Sequence, residues 1–310
     1  MTHDDGMTSS QPGLPLLQQR GISPMRIGVV ILHYNKLDLT AACCESVLAQ
    51  LDPPARIIVV DNGSPAHPPE ALPAACPPGV ECLRADPNRG FSGGNNLGVR
   101  RLLADPSIEA VLLLNNDTRC PPDLTRAMAA ALRPGVGLVG CEMVGAGGGD
   151  AQAAGGSFAR FFGYPVRLRH GTAPEYLQGA CLLAPREALE RVGLLDETFE
   201  FFFEDADWSL RMRRAGYTLA VAEGVQILHY GSATIGALGR QQASWYRASH
   251  IVFLRRWRSH PFARAIAPFL FRLAADALRG RREAVLGNIE GWRAGWRRRF
   301  LLESPANTTS

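Results

Sequence analysis

The sequence predicts an α/β fold: an α/β/α sandwich around a mostly parallel central sheet, with a C-terminal helical extension. Three observations lead there. From Arg26 onward, short β-branched apolar runs alternate with segments of helical spacing, the pattern of strands joined by crossover helices. The runs are apolar at consecutive positions, as strands covered on both faces must be. Beyond Gln241 every segment has helical spacing, with arginines interspersed.

Local signals set each element. Residues 27–32 form the first strand, and 39–51 have helical spacing. A second strand at 56–60 ends in Asp61-Asn62-Gly63-Ser64, a strong turn signal. After a Pro-rich loop come a short strand near 80–84, a helix over 92–103 and a strand at 110–114. Pro121-Pro122 opens a helix running through Leu132, since proline is tolerated in a first turn. The second half starts with a strand over 136–144 and a Gly-rich flexible loop over 145–156. A strand at 176–183, a helix from Pro185, a helix to about Ala215 and a strand over 217–222 complete the pattern. The chain thus divides into a polar, disordered N-terminal tail (1–24), an α/β domain (25–240), a basic helical region (241–300) and a short tail (301–310).

Composition narrows the function classes. Seven scattered cysteines, odd in number and without zinc-like CxxC spacing, disfavour a disulfide framework or structural zinc, and a reducing cytoplasm fits them. The first 25 residues carry no apolar core, so no signal peptide is expected. The best candidate membrane span, 261–278, is interrupted by Arg264, Arg272 and Asp276, so no crossing is expected. Charge is uneven. From Arg240 to Arg299 fourteen arginines face only Asp276, Glu283 and Glu290, while the whole chain is only +4.

Ligands of an open parallel sheet sit outside the carboxyl ends of its strands. Four polar clusters directly follow strand runs: His33-Tyr34-Asn35, Asp61-Asn62-Gly63-Ser64, the 88–96 run and Asn115-Asn116-Asp117. Each alone is an ordinary turn signal; four on one rim indicate a ligand site. In the 88–96 run the glycines let backbone approach a ligand, and a helix opening near Ser92 offers N–H groups to an anion. The run lacks GxGxxG and follows the third strand, which disfavours a nicotinamide dehydrogenase. Asp117 stands at a rigid strand end, where one carboxylate can hold Mg²⁺ or Mn²⁺ if phosphates supply other ligands; an Asx turn is the bland reading. His229, after the apolar 225–228 run, is a second metal-ligand candidate, more natural for Mn²⁺. Over 201–211 three phenylalanines run into Glu204, Asp205 and Asp207, where a strand-like run becomes a helix. A carboxylate beside apolar surface gains basicity suited to proton abstraction. Acids in a first turn also complement the helix dipole with no chemistry implied. That segment alone leaves both readings open.

In order, VVILHYN, VVDNGS, NRGFSGGNN, LLLNNDT, QGACLLAPREAL, FFFEDADWSLR and LHYGSAT resemble the inverting family 2 glycosyltransferases, and within them the rhamnosyltransferase-like members that build bacterial surface polysaccharides. The resemblance spans residues 26–234 and implies a GT-A type, Rossmann-like sandwich. It implies a nucleotide-diphosphate sugar donor, dTDP- or UDP-linked, and a saccharide or lipid-linked saccharide acceptor. By the same resemblance Asp61 meets the nucleotide, with His33, Tyr34 and Asn35 lining that pocket and Asn88, Gly90 and Asn95 along the nucleotide sugar. Asn115-Asn116-Asp117 takes the DXD position, with Asp117 and His229 holding Mn²⁺ or Mg²⁺ and Asn116 beside them. Asn115 departs from the pattern by replacing its first acid. Gln178 faces sugar or acceptor; Asp205 is the catalytic base, with Glu204 the fallback, and Asp207 and Trp208 shape the site. A non-catalytic nucleotide-sugar or polysaccharide-binding protein on the same scaffold is the competing class. In the basic region, aromatics such as Trp245, Tyr246 and Trp257 interleave with arginines, a pattern that suits peripheral membrane contact as well as packing on the protein's own core. No nucleic-acid module is present, so no nucleic-acid partner is expected.

Overall fold

A computed structural model of the protein describes residues 24–148, 151–168, 172–231 and 239–301. Its first half contains β1 (Ile27–His33), α1 (Leu37–Leu48), β2 (Arg56–Asp61), α2 (Ala71–Ala75), β3 (Val80–Arg84), α3 (Gly90–Leu103), β4 (Ala110–Asn115), β5 (Thr118–Arg119) and α4 (Leu124–Ala131). The second half adds β6 (Val136–Gly145), β7 (Gly155–Phe158), β8 (Pro165–Arg167), β9 (Tyr176–Leu177), β10 (Cys181–Pro185), α5 (Arg186–Val192), α6 (Glu204–Arg214) and β11 (Thr218–His229). Helices α7 (Gly239–Trp257), α8 (Pro261–Leu278) and α9 (Arg282–Arg297) follow.

Eight strands form the central sheet in the order β3-β2-β1-β4-β10-β6-β11-β5. Only β10 and β5 run against the other six. Alternate residues of a strand point to opposite faces. Val29, Ile31 and Val59 therefore pack with Cys43, Cys44 and Val47 of α1, while Val30, Ile58 and Val60 pack with Val99 and Leu102 of α3. The expected α/β/α sandwich is what these two cores build. Register aligns the strand ends: His33 lies opposite Asp61, Asp61 opposite Arg84, and Leu32 opposite Asn115.

Several elements differ from the sequence reading. The strand expected over 176–183 is two strands: β9 joins a small β8-β7-β9 sheet and β10 the central one. Gln178 N–H still bonds Ala154 O (2.9 Å) on the small-sheet side, whereas Ala180 O accepts from Asn115 N–H (3.0 Å) of the central sheet. The 217–222 strand and the apolar run before His229 are one strand, irregular between Ala222 and Gln226. Pro121-Pro122 forms a turn, closed by Leu124 N–H to Pro121 O (3.2 Å), and helix begins only at Leu124. Within the Gly-rich loop Met143 and Gln152 pair in antiparallel fashion, and β7 begins at Gly155. The expected tails lie outside the described residues except for 24 and 301, as do residues 149–150 of that loop and 232–234 of the LHYGSAT motif.

The glycines after Asn88 prove to be packing residues. A Cβ at Gly94 would sit 2.5 Å from Leu32 Cδ1, and one at Gly98 would sit 2.6 Å from Val30 Cγ1. Side-chain-free positions let α3 lie directly on β1 and β2. The same device joins α9 to α7. Cβ atoms at Gly287 and Gly291 would lie 2.1 Å from Arg240 O and 2.3 Å from Ser244 O. These helices are built onto the second half of the domain: Phe253 of α7 packs between Phe158 and Phe203, and Ser249 Oγ donates to Phe201 O (2.8 Å). Among the described residues no helix is long and apolar enough to cross a membrane.

Valine is stiff at χ1 and cannot swing away from a new methyl group. Gly98→Ala is therefore expected to cost about 1–3 kcal/mol, the usual range for overpacking. It should lower the urea midpoint at unchanged slope; an unchanged midpoint would show that α3 does not need this close approach.

Candidate active site

The carboxyl end of β1 and β2 forms the first wall. His33 is buried, and its Nδ1 shares a hydrogen bond with Thr40 Oγ1 (2.7 Å) while the buried Nε2 has no partner. Burial lowers its pKa to about 4, so the ring is neutral near pH 7. Asp61, also buried, pairs with its register neighbour Arg84 and accepts Ser64 N–H (2.9 Å). Ser64 Oγ in turn accepts the N–H of Asn35, which stands at φ +59°. Tyr34 is half-buried beside it.

Asn62 organises the following loop. Its amide nitrogen donates to Gly90 O (2.9 Å) and Asn88 Oδ1 (3.2 Å), and its oxygen accepts Arg89 N–H (2.9 Å). Gly90 N–H donates to Asn88 Oδ1 (2.8 Å), and Phe91 N–H donates to Glu200 O (2.8 Å). The helix starts at Gly90, not Ser92, and these first N–H groups are already engaged. These two are therefore not open to an anion, whereas the sequence reading concerns the N–H groups near Ser92. Gly90 has φ +69°, and a Cβ there would meet Glu200 O at 2.8 Å, so only glycine fits. Asn95 is buried, its amide nitrogen bonded to Phe91 O within the helix (3.0 Å).

At the centre of the rim, Asn116 Nδ2 donates to Thr40 Oγ1 (2.9 Å), the hydroxyl that also meets His33. Asp117 Oδ1 and His229 Nε2 are 3.2 Å apart, with side chains 18% and 23% exposed. Asp117 O accepts Tyr230 N–H (2.9 Å), which pins β11 to the strand-end turn. The two side chains thus present one oxygen and one nitrogen donor together, open to solvent. That pair suits a divalent cation taking most of its ligands from phosphate and water. Among the described residues no group of three or more His, Cys, Asp or Glu gathers to hold a metal alone.

The acidic segment reaches the same rim through β10. Gly179 N–H donates to Asp205 Oδ2 (2.9 Å), and the next residue, Ala180, is bonded to Asn115. Asp205 Oδ1 also accepts Ala206 N–H (2.7 Å). Burial raises the Asp205 pKa, opposed by those two N–H groups. Burial raises Glu204 well above its usual value, and the neighbouring Asp205 charge adds to this; its buried Oε2 makes no hydrogen bond. Gln178 is half-buried beside Gly179. No side chain caps α6 at Phe203. Phe202 and Phe203 both adopt left-handed backbone, at φ +70° and +67°, a conformation bulky residues avoid unless their surroundings impose it.

Asp207 faces away from the rim into a buried ionic cluster. It accepts Arg211 Nε (2.8 Å), Arg256 Nη1 (2.9 Å) and Trp257 Nε1 (2.9 Å), and Arg256 also pairs with Asp196. Both aspartates are fully buried. This cluster ties α7 to the helix carrying Glu204 and Asp205, and breaking such a pair typically costs about 3–5 kcal/mol.

The rim therefore gathers His33, Tyr34, Asn35, Asp61, Asn88, Gly90, Asn116, Asp117, Gln178, Asp205 and His229, with Glu204 behind Asp205 and Asn95 turned into α3. The sequence reading did not name Thr40, Arg84 or Arg256 as site residues. Arg84 alone carries a signal, as the last residue of a strand ending on this rim.

Comparisons with known proteins bear on the family and the fold. Residues 28–193 match the model of Glycosyl transferase family 2. Over 211 residues, 66% of each chain, the protein is 22% identical to the low-salt glycan biosynthesis hexosyltransferase Agl10 of Haloferax volcanii. A 75-residue stretch, 24% of each chain, is 33% identical to the N-acetylglucosaminyl-diphospho-decaprenol L-rhamnosyltransferase of Mycobacterium tuberculosis. The chain spans 29% and 66% of the length of two curated relatives it matches. Among solved structures, the fold is similar to the mannosyltransferase PcManGT of Pyrobaculum calidifontis in complex with GDP-Man and Mn²⁺. The TM-score is 0.53 at 16% identity, covering 88% of this chain and 76% of that one. With its family model matched over more than half its length and its strand-end residues gathered on one rim, the chain belongs to glycosyl transferase family 2.

Proposed function

We propose that this protein is an inverting, metal-dependent glycosyltransferase of bacterial surface polysaccharide synthesis. It would move a hexose, rhamnose or a similar sugar, from a dTDP- or UDP-linked donor to a saccharide or lipid-linked saccharide. One observation carries the reading. The hydrogen bond from Gly179 holds the Asp205 carboxyl beside the β4–β10 seam, on the rim where Asp117 and His229 meet. A base and a leaving-group site then flank one crevice.

In this reading Asp205 takes the proton of the acceptor hydroxyl as that oxygen attacks the anomeric carbon from the face opposite the diphosphate. The bond from anomeric carbon to diphosphate oxygen breaks, its electron pair leaves with the nucleotide, and the configuration inverts. Burial and the Asp205 charge both oppose ionisation of Glu204, so it holds its proton more tightly than an ordinary Glu. Two backbone N–H groups favour the charged form of Asp205 over that of Glu204, whose Oε2 has no hydrogen bond. Asp117 and His229 would hold Mn²⁺ or Mg²⁺, which offsets charge on the departing diphosphate. The unpartnered Nε2 of His33 suits a hydrogen bond to the base or ribose. Exposed Phe262, Leu270, Phe271 and Leu278 among the arginines of α8 support peripheral contact with an anionic membrane at its inner face.

Asp205→Asn should reduce transfer by about 10²–10⁴-fold, the usual contribution of a general base, with nucleotide binding by calorimetry unchanged. Loss of nucleotide binding would make Asp205 a ligand instead. EDTA should abolish transfer and Mn²⁺ or Mg²⁺ restore it; full activity in EDTA removes the role given to Asp117 and His229. Glu204 binds its proton more tightly folded than unfolded. The stability this gives is complete below the ordinary Glu value of about 4.3 and lost as pH rises through the raised folded value. Glu204→Gln cannot ionise, so its melting temperature should rise relative to the parent as pH climbs above the ordinary Glu value of about 4.3. A pH-independent difference would contradict the raised carboxyl.

A further inference from the structure

Helices α7, α8 and α9 and the Phe202 turn line a half-open cavity of about 720 Å³. One of its lining charges has no counter-charge among the described residues. Arg247 is 2% exposed, yet its guanidinium bonds neutral oxygens: Tyr164 Oη at 3.0 Å and Asn288 Oδ1 at 3.3 Å. It also lies over the Phe269 ring at 5.6 Å, and no carboxylate among the described residues pairs with it. A guanidinium withdrawn from water without an anion is costly to maintain. Two more lining arginines, Arg272 and Arg281, share a single acid, Asp276, at 2.7 and 3.9 Å. Three cations thus face one carboxylate. The guanidinium fork matches phosphate oxygens in shape and charge.

Four of the other lining residues are aromatic: Tyr164, Phe202, Tyr246 and Phe271. Phe202 and Tyr246 meet with ring centroids 5.3 Å apart, and Phe202 lies three residues before Asp205. The cavity therefore adjoins the turn that carries the proposed base. Phe271, on its opposite wall, is 76% exposed, and Leu278, two turns along the same face of α8, is 90% exposed. Exposed apolar side chains thus stand on the helix that carries Arg272.

We propose that this cavity binds the acceptor through a diphosphate group carried on an apolar chain. Arg247, Arg272 and Arg281 take the phosphate oxygens, and the chain leaves over Phe271 and Leu278. The inference rests on the glycosyltransferase reading and adds a place and a chemical class for its acceptor.

Farnesyl diphosphate and inorganic pyrophosphate serve as probes, titrated calorimetrically into the full chain in EDTA, which keeps the Asp117–His229 pair from recruiting diphosphate through a metal. Farnesyl diphosphate should bind the parent and Asp117→Asn equally and bind Arg281→Glu and Arg247→Gln at least about tenfold more weakly. Pyrophosphate should bind more weakly than farnesyl diphosphate. Arg247 is buried; should its variant fail to fold, Arg281, with a side chain 59% exposed, decides alone. No binding to the parent, equal binding to Arg281→Glu, or loss in Asp117→Asn overturns the proposal. Pyrophosphate binding as tight as farnesyl diphosphate overturns the apolar-chain class. UDP and dTDP titrated with Mn²⁺ separate the two readings. If they bind while farnesyl diphosphate does not, the cavity inference falls and the enzyme reading stands; if neither binds, both fall.

Discussion

The seam where β10 pairs antiparallel with β4 sets the position of everything at the site. Asn115 N–H bonds Ala180 O, and one residue earlier Gly179 N–H bonds the Asp205 carboxyl. Two adjacent backbone groups thus connect a strand end from the first half to a helix start from the second. A parallel strand in that place would reach the rim only after a crossover. Reversing β10 makes the strand begin at the rim, so Gly179 and Ala180 lie there just ahead of it, and a Cβ at Gly179 would be in ordinary contact with the Asp205 Cβ at 3.4 Å.

Asp205 needs a rigid neighbour as well as a hydrogen bond, and Asp207 supplies it from the other side of the helix. Two residues apart, the carboxyls point in roughly opposite directions on α6, one to the rim and one to Arg211, Arg256 and Trp257. The left-handed Phe202 and Phe203 can persist because they are packed against Tyr246 and Phe253 while the helix behind them is tied down. Local strain at this turn is held by long-range contacts, as is common where a reactive group must be aimed.

Much of this was legible in the chain. Residues 27–32, 56–60, 80–84 and 110–114 read as strands because burial on both faces leaves continuous apolar runs. Polar residues immediately after them then mark the rim. Asp117 and His229 could be suspected together because each follows such a run, and they do lie 3.2 Å apart. What stayed hidden depends on partners distant in sequence. The division of 176–183 between two sheets follows from what each half pairs with, and nothing local marks it. The glycines of 88–98 carry the same letters whether they approach a ligand or a strand; only Leu32 and Val30 beneath them decide. Arg84 pairs with Asp61 through a register invisible to periodicity, and Arg256 reaches Asp207 across 49 residues.

The glycine stripe of α9 bears on how this fold could be shortened. Gly287 and Gly291 bring α9 against the backbone of α7, and α7 in turn carries the arginine that neutralises Asp196 and Asp207. Trimming the polypeptide after β11 would leave buried Asp196 without its arginine and Asp207 with Arg211 alone, and would strip the cover from Phe158 and Phe203. The basic tail is thus a structural keystone, and a catalytic fragment limited to the family-matched residues would lack it.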